Sequence, residues 1–143
     1  MEPTRILIVA NQTAAGAALQ EEVRRRHEAG PCSFTLVVPA THPTEHLTWT
    51  EGEAVEIAKR HLAAALEKLS ATGADLDGRV GDENPMNAVS DALIAETYDE
   101  IILSTLPSGV SRWLNQDLPH RMERRFEIPL TTVIAESEPA RSS

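Results

Sequence analysis

Cysteine and basic residues are both scarce in this sequence of 143 residues. The single cysteine, Cys32, excludes an intramolecular disulfide framework and a zinc site built from several cysteines. Lysine and arginine number 13 against 22 acidic residues, which gives a formal net charge of −9. Because nucleic acids and anionic membranes attract net positive charge, we expect neither as the main partner.

Long apolar runs are missing as well. No stretch approaches the length of a membrane span, and the first residues lack the basic segment and apolar core of a signal peptide. These absences predict a cytoplasmic protein. His42 and His46 lie four residues apart, but Pro43 between them indicates a loop, so no metal site is predicted.

Short apolar runs alternate with helical patterns along the chain. The runs are rich in β-branched residues and apolar at successive positions, which is typical of parallel strands buried on both faces. They cover residues 6–10, 34–38, 101–105 and 130–135, and a weaker, more polar run at 75–80 completes five strands. The alternation predicts an α/β protein: one three-layer α/β/α domain over residues 1–136, with a mostly parallel five-stranded sheet and a frayed tail at 137–143.

Capping residues set the predicted helix boundaries. Thr13 is expected to cap a first helix that runs to about Glu28, and the exposed face of this helix carries Arg24, Arg25 and Arg26. Thr50 and Glu53 have capping-box spacing before a second helix, and Gly73 is a plausible stop. Asn84 and Pro85 open a third helix, and a fourth runs from about Asp117 to Phe126.

Polar and small residues follow the predicted buried strands, where parallel sheets bind ligands. Asn11 ends the first strand, and its side-chain amide either forms hydrogen bonds with the base or ribose of a nucleoside or caps the next helix. Ser108, Gly109 and Ser111 follow the fourth strand, and either hold an anion through backbone N–H groups or only start a turn. Trp113 either stacks over a ligand or anchors its segment against the sheet, and we favour the anchor. The sequence has no Walker loop, no G-x-G-x-x-G after the first strand and no G-x-S-x-G elbow, so no catalytic residue is assigned.

Several segments, in their order and spacing, resemble the universal stress protein superfamily. Residues 6–13 (ILIVANQT) are similar to the family's opening I-L-V-A-V-D-G-S, and 99–104 (DEIILS) to its D-L-I-V-M-G. Residues 108–114 (SGVSRWL) are similar to S-G-L-S-R-L-L, and 128–134 (IPLTTVI) to its closing strand. The resemblance implies a Rossmann-like sheet of order 3-2-1-4-5 and a homodimer paired through the last strand, Leu130 to Ala135.

The resemblance also implies an adenine nucleotide as ligand. The residues it assigns to that site are Ala10, Asn11, Thr13, Val38, Pro39, Ser104, Thr105, Ser108, Gly109, Val110 and Ser111.

The glycine motif of ATP-binding members is largely lost in this chain. Their pattern is G-x-x-G-x(9)-G-[ST], of which only the second glycine remains in this chain, as Gly109. Leu106 or Pro107 stands at the position of the first glycine, and Gln116-Asp117 stand at the position of the final G-[ST]. The predicted function is therefore a non-catalytic stress-response module with a degenerate nucleotide crevice, which acts through dimer or partner contacts. The alternative is a nucleotide-binding switch or slow ATPase that uses the loop from Ser104 to Ser111.

Overall fold

The computed structural model describes residues 4–10, 16–40, 51–105 and 112–135. The strands are β1 (Thr4–Val9), β2 (Cys32–Pro39), β3 (Asp75–Gly81), β4 (Glu100–Thr105) and β5 (Leu130–Ile134). The helices are α1 (Ala17–Ala29), α2 (Glu51–Ser70), α3 (Pro85–Ala95), α4 (Arg112–Asn115) and α5 (Leu118–Phe126).

The five strands form one sheet in the order β3-β2-β1-β4-β5, and every adjacent pair is parallel. The predicted fold class and strand order are confirmed. Chain order reverses between β1 and β4, the type of position at which open α/β sheets bind ligands. The weak run at 75–80 does form a strand, β3, in which polar and half-buried residues alternate at one edge of the sheet.

Alternate residues of the central strands face two separate hydrophobic clusters. Ile6, Ile8 and Ile102 pack with residues of α1 and α2 on one face. Leu7 and Leu103 pack with residues of α3 and α5 on the other. Burial on both faces explains the continuous apolar runs, and it gives the three-layer arrangement expected from the sequence.

Two helix boundaries differ from the sequence prediction. The first helix begins at Ala17 with Gly16 at its N-cap, so Thr13, which lies outside the described residues, is not its cap. Gly16 has an extended backbone, and glycine is unfavourable inside a helix, which explains the later start. The sequence also gave no indication of α4, which is a single short turn of four residues.

Other boundaries agree with the prediction, whereas Thr50, the predicted cap of the second helix, lies outside the described residues. Asn84 caps α3, because its Oδ1 accepts a hydrogen bond of 2.9 Å from the Met86 amide, and Pro85 follows at the first helical position. Gly73 lies after α2 in a turn with φ +87°, a conformation that side chains with a Cβ rarely adopt. The predicted tail at 137–143 and the His42–His46 pair lie outside the described residues.

Candidate functional site

The carboxyl ends of β2, β1 and β4 bring the predicted site residues into one row. Val9 pairs with Val37 on one side and with Leu103 on the other. One residue further along each strand, Ala10 therefore lies between Val38 and Ser104. Ala10 and Val38 are fully buried and Ser104 is 2% exposed. Residues that the sequence separates by more than 90 positions thus meet where the strand order reverses.

A second row lies one residue beyond the first. Pro39 of β2 pairs with Gly81 of β3, and Thr105 of β4 pairs with Ile134 of β5. The Ala135 amide donates to the Thr105 carbonyl at 2.8 Å and extends the ladder past the end of β5. Thr105 is 2% exposed.

Among the described residues, the hydroxyl groups of Ser104 and Thr105 lie on opposite faces of β4. Ser104 shares a face with Ile102 and therefore with the α1–α2 layer, whereas Thr105 shares the face of Leu103 and the α3–α5 layer. Each hydroxyl can both donate and accept a hydrogen bond.

The structure thus describes five of the predicted site residues and brings them together: Ala10, Val38, Pro39, Ser104 and Thr105. The other six lie outside the described residues: Asn11, Thr13, Ser108, Gly109, Val110 and Ser111. Their part in the site stays a prediction.

Helix α3 packs very closely against the same end of the sheet. A Cβ placed on Gly81 would lie 2.8 Å from Val37 Cγ1 and 2.9 Å from Ala88 Cβ, so only glycine allows this approach. The Asp82 carboxylate accepts a hydrogen bond of 2.9 Å from the Asn84 amide and shapes the turn into α3. Gly81 is thus a packing residue at the carboxyl end of β3, and the sequence pattern alone did not distinguish that role.

Trp113 of α4 is partly buried against the hydrophobic cluster that contains Leu103 and Leu118. This contact agrees with the interpretation of Trp113 as an anchor, in which the indole supplies apolar contact area to the core.

A polar cluster at the opposite end of the sheet was missed by the sequence analysis. Arg26 Nη1 and Nη2 donate to both carboxylate oxygens of Glu100, at 2.6 and 2.9 Å, and its Nε donates to Glu22 at 2.7 Å. The Thr131 hydroxyl of β5 donates to Glu100 Oε2 at 2.7 Å. We call Arg26, Glu22, Glu100 and Thr131 the arginine clasp.

The clasp corrects one sequence prediction. Arg24 and Arg25 do lie on the exposed face of α1, but Arg26 is only 22% exposed and joins α1 to β4 and β5. The hydrogen bond from Arg26 lowers the pKa of Glu100 below its ordinary value, so the carboxylate stays charged near neutral pH. The spacing of Glu22 and Arg26 was visible in the sequence, whereas the partner on β4 required the fold.

A shallow groove of about 340 Å³ adjoins the clasp and is lined by residues that include Thr4, Pro31 and Cys32. Cys32 Sγ lies 3.5 Å from the Arg26 carbonyl oxygen, to which it donates. Burial raises the pKa of the Cys32 thiol, so this sulfur is held in its protonated, unreactive form. We interpret the groove and the clasp as structural.

The described residues contain neither a candidate metal-binding cluster nor a candidate membrane-spanning helix. The ranges 4–10, 16–40, 51–105 and 112–135 contain no group of three or more histidine, cysteine or acidic side chains placed to hold a metal ion. Within the same ranges, none of the helices combines the length and apolarity that crossing a membrane requires.

Comparison with known proteins gives matches in structure and none in sequence. No family model matches the chain, and no curated protein matches it. The structure of a universal stress protein from Archaeoglobus fulgidus superposes with a TM-score of 0.60 at 15% identity, covering 91% of this chain and 93% of the other. The crystal structure of a universal stress protein in complex with cAMP gives a TM-score of 0.61 at 15% identity, covering 94% and 100%. The chain therefore has the fold of the universal stress proteins.

Proposed function

We propose that this protein is a non-catalytic member of the universal stress protein superfamily whose crevice binds a small adenine nucleotide, and that it acts through dimer or partner contacts in a stress response. The supporting observation is the row of Val38, Ala10 and Ser104, with Pro39 and Thr105 one residue beyond. This row lies where the strand order reverses, the position at which open α/β sheets bind ligands.

The ligand we propose carries one phosphate group. The glycines that would let a backbone approach a triphosphate are replaced by Leu106 or Pro107 and by Gln116. Asp117 stands at the Ser/Thr position of that pattern, and its carboxylate would repel phosphate oxygens. The similar structure in complex with cAMP supports the proposal, because cAMP has a single phosphate.

Calorimetric titration with AMP, cAMP and ATP tests the proposal. We expect AMP or cAMP to bind, and ATP to bind no more tightly than AMP, because the chain lacks the glycines whose backbone would bind the β- and γ-phosphates. A Kd for ATP more than about tenfold below that for AMP would contradict the proposal and would favour the nucleotide-switch alternative.

A matched pair of variants locates the site. Thr105→Val removes a hydroxyl at the crevice, whereas Thr35→Val makes the same exchange on β2 in the row of Ile101, roughly 13 Å along the strands. We expect Thr105→Val to weaken nucleotide binding and Thr35→Val to leave it unchanged. Equal effects of the two variants would place the ligand elsewhere.

The proposed dimer pairs through the outer edge of β5. The two edges of the sheet differ: β3 exposes Asp75, Asp77 and Arg79, whereas the whole of β5 is uncharged and Ile134 is 48% exposed. Charged side chains protect an edge strand from pairing, and their absence from β5 favours association with a second copy.

Analytical ultracentrifugation of two isoleucine variants tests this pairing. Ile134→Lys places a charge on the proposed interface, and Ile94→Lys makes the same change at an 82% exposed position on α3. We expect wild-type protein and Ile94→Lys to sediment as dimers and Ile134→Lys as a monomer. A dimer that survives Ile134→Lys would exclude the β5 edge.

A further inference from the structure

Helix α5 carries a group of exposed arginines. Arg121, Arg124 and Arg125 are all exposed and occupy positions i, i+3 and i+4 of the helix. Side chains at these spacings are neighbours on a helix surface, with Cβ atoms about 5–6 Å apart. Leu118 and Met122, on the buried side of the same helix, anchor it to the core. The three guanidinium groups therefore belong to one compact surface, which we call the α5 arginine face.

The α5 arginine face differs from the arginine group of α1. Each of the arginines at 24–26 pairs with a carboxylate of the described residues. On α5, Arg121 Nη1 donates to the Gln116 carbonyl oxygen at 3.4 Å, and the Arg125 guanidinium lies 5.6 Å from the centroid of the Phe126 ring. The three positive charges of this face are not neutralised by any carboxylate of the described residues.

The acidic residues of α5 and its two ends do not neutralise this face. Glu123 is one or two residues from each of the three arginines, and helix residues at those separations do not face each other. Asp117 Oδ2 lies 3.7 Å from His120 Nδ1. Glu127 follows the end of the helix in a left-handed conformation with φ 56°. The face is therefore open to carboxylates supplied from beyond the described residues.

The charge of the whole chain limits what can bind there. The formal net charge is −9, and subtracting the three positive charges of the α5 arginine face leaves −12 on the rest of the chain. A long polyanion such as a nucleic acid would extend beyond the face and be repelled by that remainder. A short acidic segment can instead place all its carboxylates on the face. Arginine suits this pairing, because its planar guanidinium binds a carboxylate through two parallel N–H···O bonds.

Two acidic occupants could come from this chain itself. A second copy could offer an acidic surface, but such a contact joins two different patches, and contacts of that type build open filaments unless the rotation closes a ring. The segment 136–143 contains Glu136 and Glu138 together with Arg141. Because Arg141 offsets one of its two carboxylates, this segment is a poor complement to three arginines.

We infer that the α5 arginine face docks a short acidic segment of a partner protein, with aspartate or glutamate side chains close enough together to reach all three guanidinium groups. The inference rests on the partner contacts of the proposed function, and it names the surface and the chemistry of the partner. It requires neither the nucleotide crevice nor the edge of β5.

Fluorescence anisotropy with a labelled oligoglutamate peptide tests the inference at low ionic strength, where exposed ion pairs are least screened. An oligoglutamine of the same length is the control probe and should not bind. We expect the variant that combines Arg121→Gln, Arg124→Gln and Arg125→Gln to bind oligoglutamate about tenfold more weakly than the wild-type protein, the combined effect of three exposed pairs.

A second triple variant matches the first in net charge. It combines Lys59→Gln, Arg60→Gln and Lys68→Gln, at three exposed positions of α2. We expect this variant to retain most of the wild-type affinity for oligoglutamate. Equal weakening by the two triple variants would overturn the inference, because net charge and not the α5 arginine face would then control binding. Failure of oligoglutamate to bind the wild-type protein would overturn it as well.

An NMR titration of the wild-type protein with oligoglutamate gives a readout that needs no variant. The backbone signals of Arg121, Arg124 and Arg125 should shift, while those of Lys59 and Lys68 stay in place. Shifts at the α2 positions without shifts on α5 would overturn the inference.

Two further results would identify an occupant from this chain and overturn the assignment to a partner protein. One is tighter binding of oligoglutamate after Glu136→Gln and Glu138→Gln are combined. The other is self-association beyond a dimer that only the α5 triple variant abolishes. None of these outcomes alters the nucleotide titration or the sedimentation of Ile134→Lys, so the inference and the proposed crevice and dimer fail separately.

Discussion

Removal of the Arg26 side chain should destabilise the fold far more than removal of its neighbour Arg24. Arg26→Met keeps the apolar stem and deletes the guanidinium, leaving the carboxylates of Glu22 and Glu100 without their shared partner. Among the described residues Arg24 pairs with Glu21 alone, and the two side chains are 44% and 66% exposed. The two variants therefore make the same chemical change in a half-buried and in an exposed ion pair.

The expected cost follows from the burial of the clasp. Breaking a fully buried pair by deleting one partner costs roughly 3–5 kcal/mol. Because Arg26 is 22% exposed and Glu100 19% exposed, water screens part of the remaining charge, and we expect Arg26→Met to cost about 2–3 kcal/mol. An exposed pair such as that of Arg24 contributes roughly 0–1 kcal/mol, so Arg24→Met should be nearly neutral.

Urea unfolding at pH 7 measures both variants, and a double-mutant cycle isolates the pair. Arg26→Met combined with Glu100→Gln should be less destabilised than the sum of the single variants, with a coupling of roughly 1–2 kcal/mol, because the double variant leaves no unpaired charge on Glu100. Equal unfolding free energies for Arg26→Met and Arg24→Met would refute the reasoning.

The pH dependence of this difference has a defined sign. Since Arg26 lowers the pKa of Glu100 in the folded state, the clasp contributes fully above the ordinary glutamate pKa of about 4.3. The contribution is lost as the pH falls from there through the lower, folded-state value. The wild-type advantage over Arg26→Met should therefore be constant between about pH 6 and 8 and shrink below about pH 4.

Three further variants test individual contacts by their unfolding free energies. Gly81→Ala should cost about 1–3 kcal/mol of unfolding free energy, because the added methyl group would lie 2.8 Å from Val37 Cγ1. Gly30→Ala should be nearly neutral, because nothing lies within 4 Å of its added methyl group. Equal costs of the two variants would contradict the packing argument. Asn84→Ala should cost about 1 kcal/mol, and no loss would exclude its role as cap. Tyr98→Phe should be neutral or stabilising, because its buried hydroxyl finds no partner among the described residues; a loss above about 1 kcal/mol would reveal one.

Local patterns predicted the elements of this fold, and family resemblance predicted the order of its strands. Asn84 and Pro85 marked the start of α3 because capping is a property of neighbouring residues. The clasp could not be predicted, since it requires Glu100 of β4 and Thr131 of β5 to lie side by side under α1.

An NMR titration of the labelled protein with AMP tests whether a nucleotide binds at the carboxyl ends of β1 and β4. We expect the backbone signals of Ala10, Ser104 and Thr105 to shift with added AMP, while those of Thr4 and Cys32, at the other end of the sheet, stay in place. Shifts concentrated around Cys32 and the arginine clasp, or no shifts at all, would contradict it.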